Sequence, residues 1–354
     1  MPETIALVEP AFAPDELIVI EAALQGRSGH SIDQVEADVA RHTGQTDAIA
    51  TDSYEDAAVL LLQASGLQEG DNVIIGALVD PRIEAAVQRV GACLNVVDID
   101  PSHLGPATNA IESAVSSTTR AVIAGPIDGD MRMVDSVANA CVRQEVAFIE
   151  CVGPWLGMQA NGRAAGARGR AALVDLGQCT PHGVDRLGVV STSDDTLAQN
   201  CRAIRSSGDG VSPRMPGAVM AATASARLAR LSLIHEACAA VSETYVRSLA
   251  GQSSLSLPAM VGSPDARWAR MVVRLDDDLS EAERDEILSG LARHDIEAVP
   301  AVSLVQSAKD TCPIAASLAP RLVALPLHTN LRTADTQLIA QTLELMIDRA
   351  TFHR

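Results

Sequence analysis

The sequence predicts an α/β protein: a mainly parallel sheet covered by helices on both faces, followed by a smaller α+β unit. Three observations predict it. Apolar runs of strand length alternate with amphipathic helical stretches through the first two hundred residues. Those runs are continuous, not alternating, as suits strands buried on both faces. Past residue 205 the pattern changes to loop chemistry, a long helix and a second, shorter set of strands and helices.

The runs are NVIIGALV (72–79), CLNVVDI (93–99), RAVIAGPI (120–127), VAFIECV (146–152), AALVDLG (171–177) and LGVVST (187–192), with helix-like segments such as PRIEAAVQRVGA and VDSVANACVRQE between them. SSGDGVSPRMPG is rich in Gly, Ser and Pro and reads as a loop. A long Ala/Leu-rich helix is expected over 217–249. WARMVVRL, a helix at 279–293, EAVPAVSL, a loop near 305–320, RLVALPL and a last helix at 333–349 complete the chain. The division expected is 1–216 for the large unit and 217–354 for the linking helix and small unit. In a sheet of this kind, ligands sit at the carboxyl ends of the strands.

Composition narrows the function. The 354 residues suffice for a sizeable core. Aromatics are only 2% against 47% hydrophobic residues, so Ala, Val, Leu and Ile must build that core. The formal charge of −18 argues against nucleic acid or an anionic membrane as partner, since both need basic surface. The seven cysteines (93, 141, 151, 179, 201, 238, 312) form no C-x-x-C, which fits reduced thiols in the cytoplasm and neither disulfides nor zinc. MPETIALVEPAF lacks the basic and apolar regions of a signal peptide, and no run of ~20 apolar residues reads as a membrane span. No H-e-x-x-H spacing exists, so no metal is expected.

Several stretches, in order, resemble one family. EAALQGRSGHSIDQVEADVARHTG, LQEGDNVII, VDIDP (97–101), FIECVGPWLGMQANGRAAG, RAIRSSG and LVALPLHTNLRTADTQLI are similar to segments of the DegT/StrS-type sugar aminotransferases, from about residue 10 to about residue 350. The resemblance implies the aspartate aminotransferase fold (fold type I): a three-layer α/β/α large domain with a mostly parallel seven-stranded sheet, a small C-terminal domain, and a homodimer with its pocket at the subunit interface. It also implies pyridoxal phosphate (PLP) as cofactor and keto-sugars attached to nucleotides as substrates.

The residues that would carry this chemistry depart from the family pattern. PLP needs a lysine for the Schiff base, a carboxylate against the pyridine nitrogen, and small residues at a helix N-terminus for the phosphate. The only lysine is Lys309, in SLVQSAKDTCP, far from the Schiff-base segment DLGQCTPHGVDRLGVVSTSDD. The family's phosphate loop Ser-Gly-Thr-Ala-Ala corresponds to Ser53-Tyr54-Glu55-Asp56-Ala57. The stacking aromatic corresponds to Asp80, the carboxylate to Cys151, and a later polar residue to Pro154. A thiol cannot hold a pyridinium proton as a carboxylate does. His182 is the nearest candidate for the lysine position. Relatives that dehydrate sugars use histidine there, but they keep the carboxylate and the phosphate loop.

The sequence thus leads to a degenerate family member with no cofactor. Its rebuilt pocket is expected to hold His182, Glu55 and Asp80 as acid–base residues, with Tyr54, Asp56, Cys151, Trp155, Asp185, Arg186 and Arg214 binding a small-molecule substrate, one sugar-like or otherwise polar. The bland alternatives stay open. Cys151 also suits a small core position, His182 a solvated turn, Asp185-Arg186 a surface ion pair, Asp80-Pro81 a helix start, and Trp155 plain packing. Two functions follow: a cofactor-independent lyase, isomerase or cyclase of natural-product or sugar biosynthesis, or a catalytically silent subunit of an active paralogue, as homodimer or heterodimer. An ordinary PLP aminotransferase or dehydratase is the third.

Overall fold

The computed structural model describes residues 4–8, 13–27, 32–177, 186–207, 215–257 and 270–352. Helices α1 (Pro14–Leu24) and α2 (Ile32–Thr43) precede the first strand, β1 (Asp47–Thr51). Strands and helices then alternate: α3 (Tyr54–Ala64), β2 (Asn72–Gly76), α4 (Pro81–Arg89), β3 (Cys93–Val97), α5 (Thr108–Ala114), β4 (Thr119–Ala124), α6 (Met131–Arg143) and β5 (Ala147–Cys151). A two-stranded hairpin, β6 (Gln159–Ala160) and β7 (Arg163–Ala164), leads to β8 (Ala171–Asp175), β9 (Gly188–Thr192) and α7 (Asp195–Arg205).

The seven-stranded sheet has the order β1-β9-β8-β5-β4-β2-β3. Strand β9 is antiparallel to both its neighbours, β1 and β8, and the other pairings are parallel. Apolar clusters cover both faces, one with Leu60, Ile75, Ile123 and Leu173, the other with Val39, Ile74, Val122 and Val174. Adjacent residues of β2, β4 and β8 thus face opposite cores, which is why those runs are continuously apolar. All six runs expected as strands are strands. Strand β1, DAIAT, adds a seventh that sequence reading did not single out.

The second half departs from expectation at two points, the first being that the loop expected near 305–320 contains a helix, Pro313–Leu318, opened by its proline. The helix expected over 217–249 is two helices, α8 (Ala218–Ala229) and α9 (Leu231–Leu249). At Arg230 the amide N–H turns to Arg227 O at 3.0 Å, and its guanidinium reaches Glu16 of α1 at 3.2 Å. No proline or glycine marks the break. Its cause is tertiary: α8 packs on α1 and α2 beside the large sheet, while α9 joins α12 (below) in a separate core. That core also holds a four-stranded antiparallel sheet of order β10-β11-β13-β12, made of β10 (Leu255–Ser256), β11 (Met271–Leu275), β12 (Val299–Pro300) and β13 (Leu322–Leu325). Helices α10 (Glu281–Arg293), α11 (Pro313–Leu318) and α12 (Thr333–Phe352) complete the chain. Among the described residues no helix is long and apolar enough to cross a membrane, and no group of side chains is arranged to hold a metal ion.

Candidate functional site

Parallel strands bring their carboxyl ends to one edge, and the residues that follow them line a cavity of about 350 Å³. Beyond β2 lie Asp80 and Arg82, beyond β4 Gly125 and Pro126, at the end of β5 Cys151, and at the end of β8 Asp175. Tyr54 enters from the first turn of α3. Arg270, just before β11, and the segment Pro300–Ser303 close the cavity from the side of the small sheet.

Local chemistry explains each placement. Asp80 caps α4, accepting the Arg82 N–H at 2.9 Å, and Pro81 fits the first helical turn. Capping turns Arg82 back over its own helix start. Its Nε and Nη2 donate to Asp80 at 3.0 and 2.6 Å, and Nη2 also donates to Asp175 Oδ2 at 2.5 Å. The guanidinium lies 4.7 Å from the centroid of the Tyr54 ring, a cation on an aromatic face. Burial works against the Arg82 charge, but the two carboxylates outweigh it and raise its pKa. Asp175 is 2% exposed; burial pushes its carboxyl up, Arg82 pulls it down, and the Gly177 N–H donates to it at 2.9 Å.

Cys151 does not form an ion pair. Burial pushes its thiol up to about 12 against the pull of the neighbouring Tyr54 hydroxyl, so it is neutral. Tyr54 in turn is 3% exposed, with its own hydroxyl raised well above the usual range by burial. Two glycines permit this packing. A Cβ on Gly125 would stand 2.0 Å from Cys151 O, and one on Gly188 would stand 2.3 Å from Ser53 O and 2.6 Å from Tyr54 Cα. Trp155 lines the cavity, but its indole N–H donates to Pro126 O at 3.0 Å and ties the loops after β4 and β5 together. Neighbouring Glu150 is turned away from the cavity's polar group: its carboxylate accepts the Gly166 and Arg168 N–H groups at 2.8 and 3.0 Å and holds the turn after the hairpin.

The structure thus gathers Asp80, Tyr54, Cys151 and Trp155 of the residues expected in the pocket. It separates Glu55 and Asp56 from them. Asp56 accepts from Ser53 Oγ at 3.0 Å and pairs with Arg89 at 2.9 Å, and Glu55 lies 3.8 Å from the same arginine, on the α3–α4 face outside the cavity lining. Their expected place in the crevice is corrected by this helix-to-helix pairing: acids in a first turn oppose the dipole and here also meet the end of α4. Arg186 is exposed, has a left-handed backbone (φ 60°) and is absent from the lining. His182, Asp185 and Arg214 lie outside the described residues. Lys309 is exposed and does not line the cavity.

Sequence reading missed Arg82, Asp175 and Arg270. The rule that strand ends carry function would have found Asp175, the last residue of an apolar run. The spacing Asp-Pro-Arg at a helix start would have found Arg82. Nothing local marks Arg270, which comes from the other end of the chain. Its Nη2 donates to Ala301 O at 2.9 Å; burial lowers its pKa and Asp80 opposes that.

A pleiotropic regulatory protein of Geobacillus stearothermophilus is 31% identical over 178 residues, 50% of this chain and 48% of that protein, so the match spans about half the relative's length. Solved structures agree over nearly the whole fold. DesV of S. venezuelae, in complex with a ketimine intermediate, has a TM-score of 0.84 at 22% identity and covers 98% of this chain and 99% of that one. PseC of Helicobacter pylori, an aminotransferase involved in the biosynthesis of pseudoaminic acid, has a TM-score of 0.86 at 16% identity over 98% and 100% of the two chains. Residues 14–344 match the family directly: the chain belongs to the DegT/DnrJ/EryC1/StrS aminotransferase family.

Proposed function

We propose that this family member works without PLP, as an acid–base enzyme on a small polar metabolite held at the strand ends. The observation that carries the reading is the lysine. The chain has one, Lys309, and it is exposed and outside the cavity lining. The other demands of the cofactor are also unmet. A neutral thiol stands at the end of β5, where a pyridinium needs a carboxylate. The start of α3 carries Tyr54, Glu55 and Asp56, and its cap side chain, Ser53, already serves Asp56. Two acids there repel a phosphate, so the residues present do not fit the group.

What the cavity offers instead is a carboxylate pair bridged by Arg82. Asp175 is the buried member, and its task is to hold Arg82 in place. Asp80 is partly exposed, with its side chain 30% accessible, and is the member that can reach a substrate proton. Neither N–H of Arg82 Nη1 has a hydrogen-bond partner among the described residues, so a cation stands ready beside any negative charge that proton removal creates. This suits isomerisation, elimination or cyclisation next to a carbonyl.

A second reading, a silent partner subunit, is favoured by one observation. Helix α1 exposes Leu17, Ile18 and Leu24 at 51%, 69% and 70%, an apolar face that another chain would cover. One experiment separates the two. A small-molecule extract is incubated in D2O with the protein and with Asp80→Asn, and metabolites are followed by mass spectrometry. Deuterium entering a metabolite with the wild type, and at least ~100-fold more slowly with Asp80→Asn, supports the enzyme. No labelled or consumed metabolite, together with increased activity of a lysine-bearing paralogue, supports the partner subunit.

A further inference from the structure

We infer that Arg270 is an oxyanion-binding residue of the strand-end cavity, and that the ligand carries a carboxylate or a phosphate at the end facing the small sheet. The inference deepens the proposed function and rests on its reading of this cavity as a ligand site. Among the described residues two guanidinium groups line the cavity, and they are satisfied very differently. Arg82 spends three hydrogen bonds on Asp80 and Asp175. Arg270 makes one, to the neutral carbonyl of Ala301, and no ion pair among the described residues. A guanidinium carries five N–H donors in a planar fork. Four of those on Arg270 have no acceptor among the described residues, and the residue is half-buried in the cavity wall.

A half-buried guanidinium with open donors facing a cavity is a ready partner for an anion. The surroundings agree. Among the described residues Asp80 is the one acid that acts on Arg270, and it is already held bidentate by Arg82. The wall on the Arg270 side is Pro300, Ala301, Val302 and Ser303, which adds a hydroxyl but no acid. The chain as a whole is strongly acidic, at −18, so an anionic ligand is repelled at long range and needs a local cation. Arg270 meets that need with a geometry that matches two oxygens of one carboxylate or phosphate.

The same layout constrains the rest of the ligand. Opposite Arg270 stands Asp80, which accepts hydrogen bonds and repels a second anion. A ligand that fits therefore has an oxyanion at one end and hydroxyl or other donor groups toward Asp80. The volume, about 350 Å³, is at the small end of ligand sites. A hydroxylated acid or a phosphorylated polyol fits this description.

Calorimetric titration with inorganic phosphate and with malonate, each against chloride at matched ionic strength, tests the inference. The wild type is expected to bind at least one of the two, and the one it prefers assigns phosphate or carboxylate. Arg270→Gln is expected to weaken that binding by ~10-fold or more, and Arg270→Lys by less, since a lysine keeps the charge and loses the fork. Circular dichroism checks that each variant folds; if Arg270→Gln does not, the intermediate affinity of Arg270→Lys carries the comparison. The inference is overturned if neither anion binds more than chloride, or if the wild type and the folded variants bind alike. Calorimetry reads binding without turnover. Anion binding that depends on Arg270 alongside no deuterium labelling would sink the acid–base reading alone. Labelling alongside anion affinities indifferent to Arg270 would sink this inference alone.

Discussion

Cys151 sets the character of the cavity at the end of β5. At the end of β5, beneath Tyr54, its thiol is raised to about 12 by burial, so it is neither nucleophile nor counter-ion. Cys141 and Cys201 are raised to about 12 for the same reason, whereas Cys93 is exposed. Brief alkylation at pH 8 followed by peptide mass analysis should therefore label Cys93 and leave Cys141, Cys151 and Cys201 unmodified. Labelling of Cys151 at the rate of Cys93 would mean that it is an accessible thiolate. Asp128 gives a pH prediction. It is 5% exposed, and burial raises its carboxyl from 3.8 to about 6. A carboxyl raised on folding contributes stability that is fully present below pH ~4 and is lost as pH rises through about 6. Asp128→Asn keeps an acceptor for the Asp130 N–H and removes the buried charge. It should stabilise the protein at pH 8, by no more than about 3 kcal/mol, with the gain shrinking toward pH 4. Urea unfolding at the two pH values measures this, and an equal effect at both would contradict it.

Elements position those residues by close approach. Strand β9 runs against the start of α3 through Gly188, and any side chain there strikes Ser53 and Tyr54 backbone. Gly188→Ala should cost on the order of 2 kcal/mol or more and lower the urea midpoint, because backbone must shift. Gly217→Ala, with nothing within 4 Å of a new Cβ, should change the midpoint little and serves as the control. Equal effects would mean that the β9–α3 contact is looser than described. Elements were also the scale at which the sequence was most legible. Strands buried on both faces announce themselves as apolar runs, so six of the seven in the large sheet could be read directly. DAIAT escaped because only three consecutive residues of it, Ala48-Ile49-Ala50, are apolar, between polar neighbours. The break between α8 and α9 escaped because no local signal encodes it; Arg230 leaves the helix ladder to serve a contact with α1. The cavity was less legible than the sheet. Tyr54, Asp80, Cys151 and Trp155 follow strands or open helices, where position along the chain predicts position in space. Arg270 does not, since its place depends on how the small sheet packs against the large one. Glu55 and Asp56 were misplaced because their partner, Arg89, is found only when α4 lies against α3.

At the scale of the molecule, the fold is that of the aminotransferase family, and on the proposed reading its centre holds different chemistry. A helix such as α1, with Leu17, Ile18 and Leu24 exposed, is expected to be covered by a second chain. Sedimentation at micromolar concentration should then show a species near twice 37.0 kDa, and a clean monomer would remove the support for the partner-subunit reading. The central claim is that this chain does not use PLP, and it can be tested directly. The purified protein is incubated with excess PLP, treated with borohydride, freed of excess cofactor and digested for peptide mass analysis. The account predicts no stoichiometric reduced adduct and at most sparse modification of exposed Lys309 that rises with PLP concentration without saturating. A saturable, stoichiometric adduct on Lys309, with the absorbance of a stable aldimine before reduction, would contradict it.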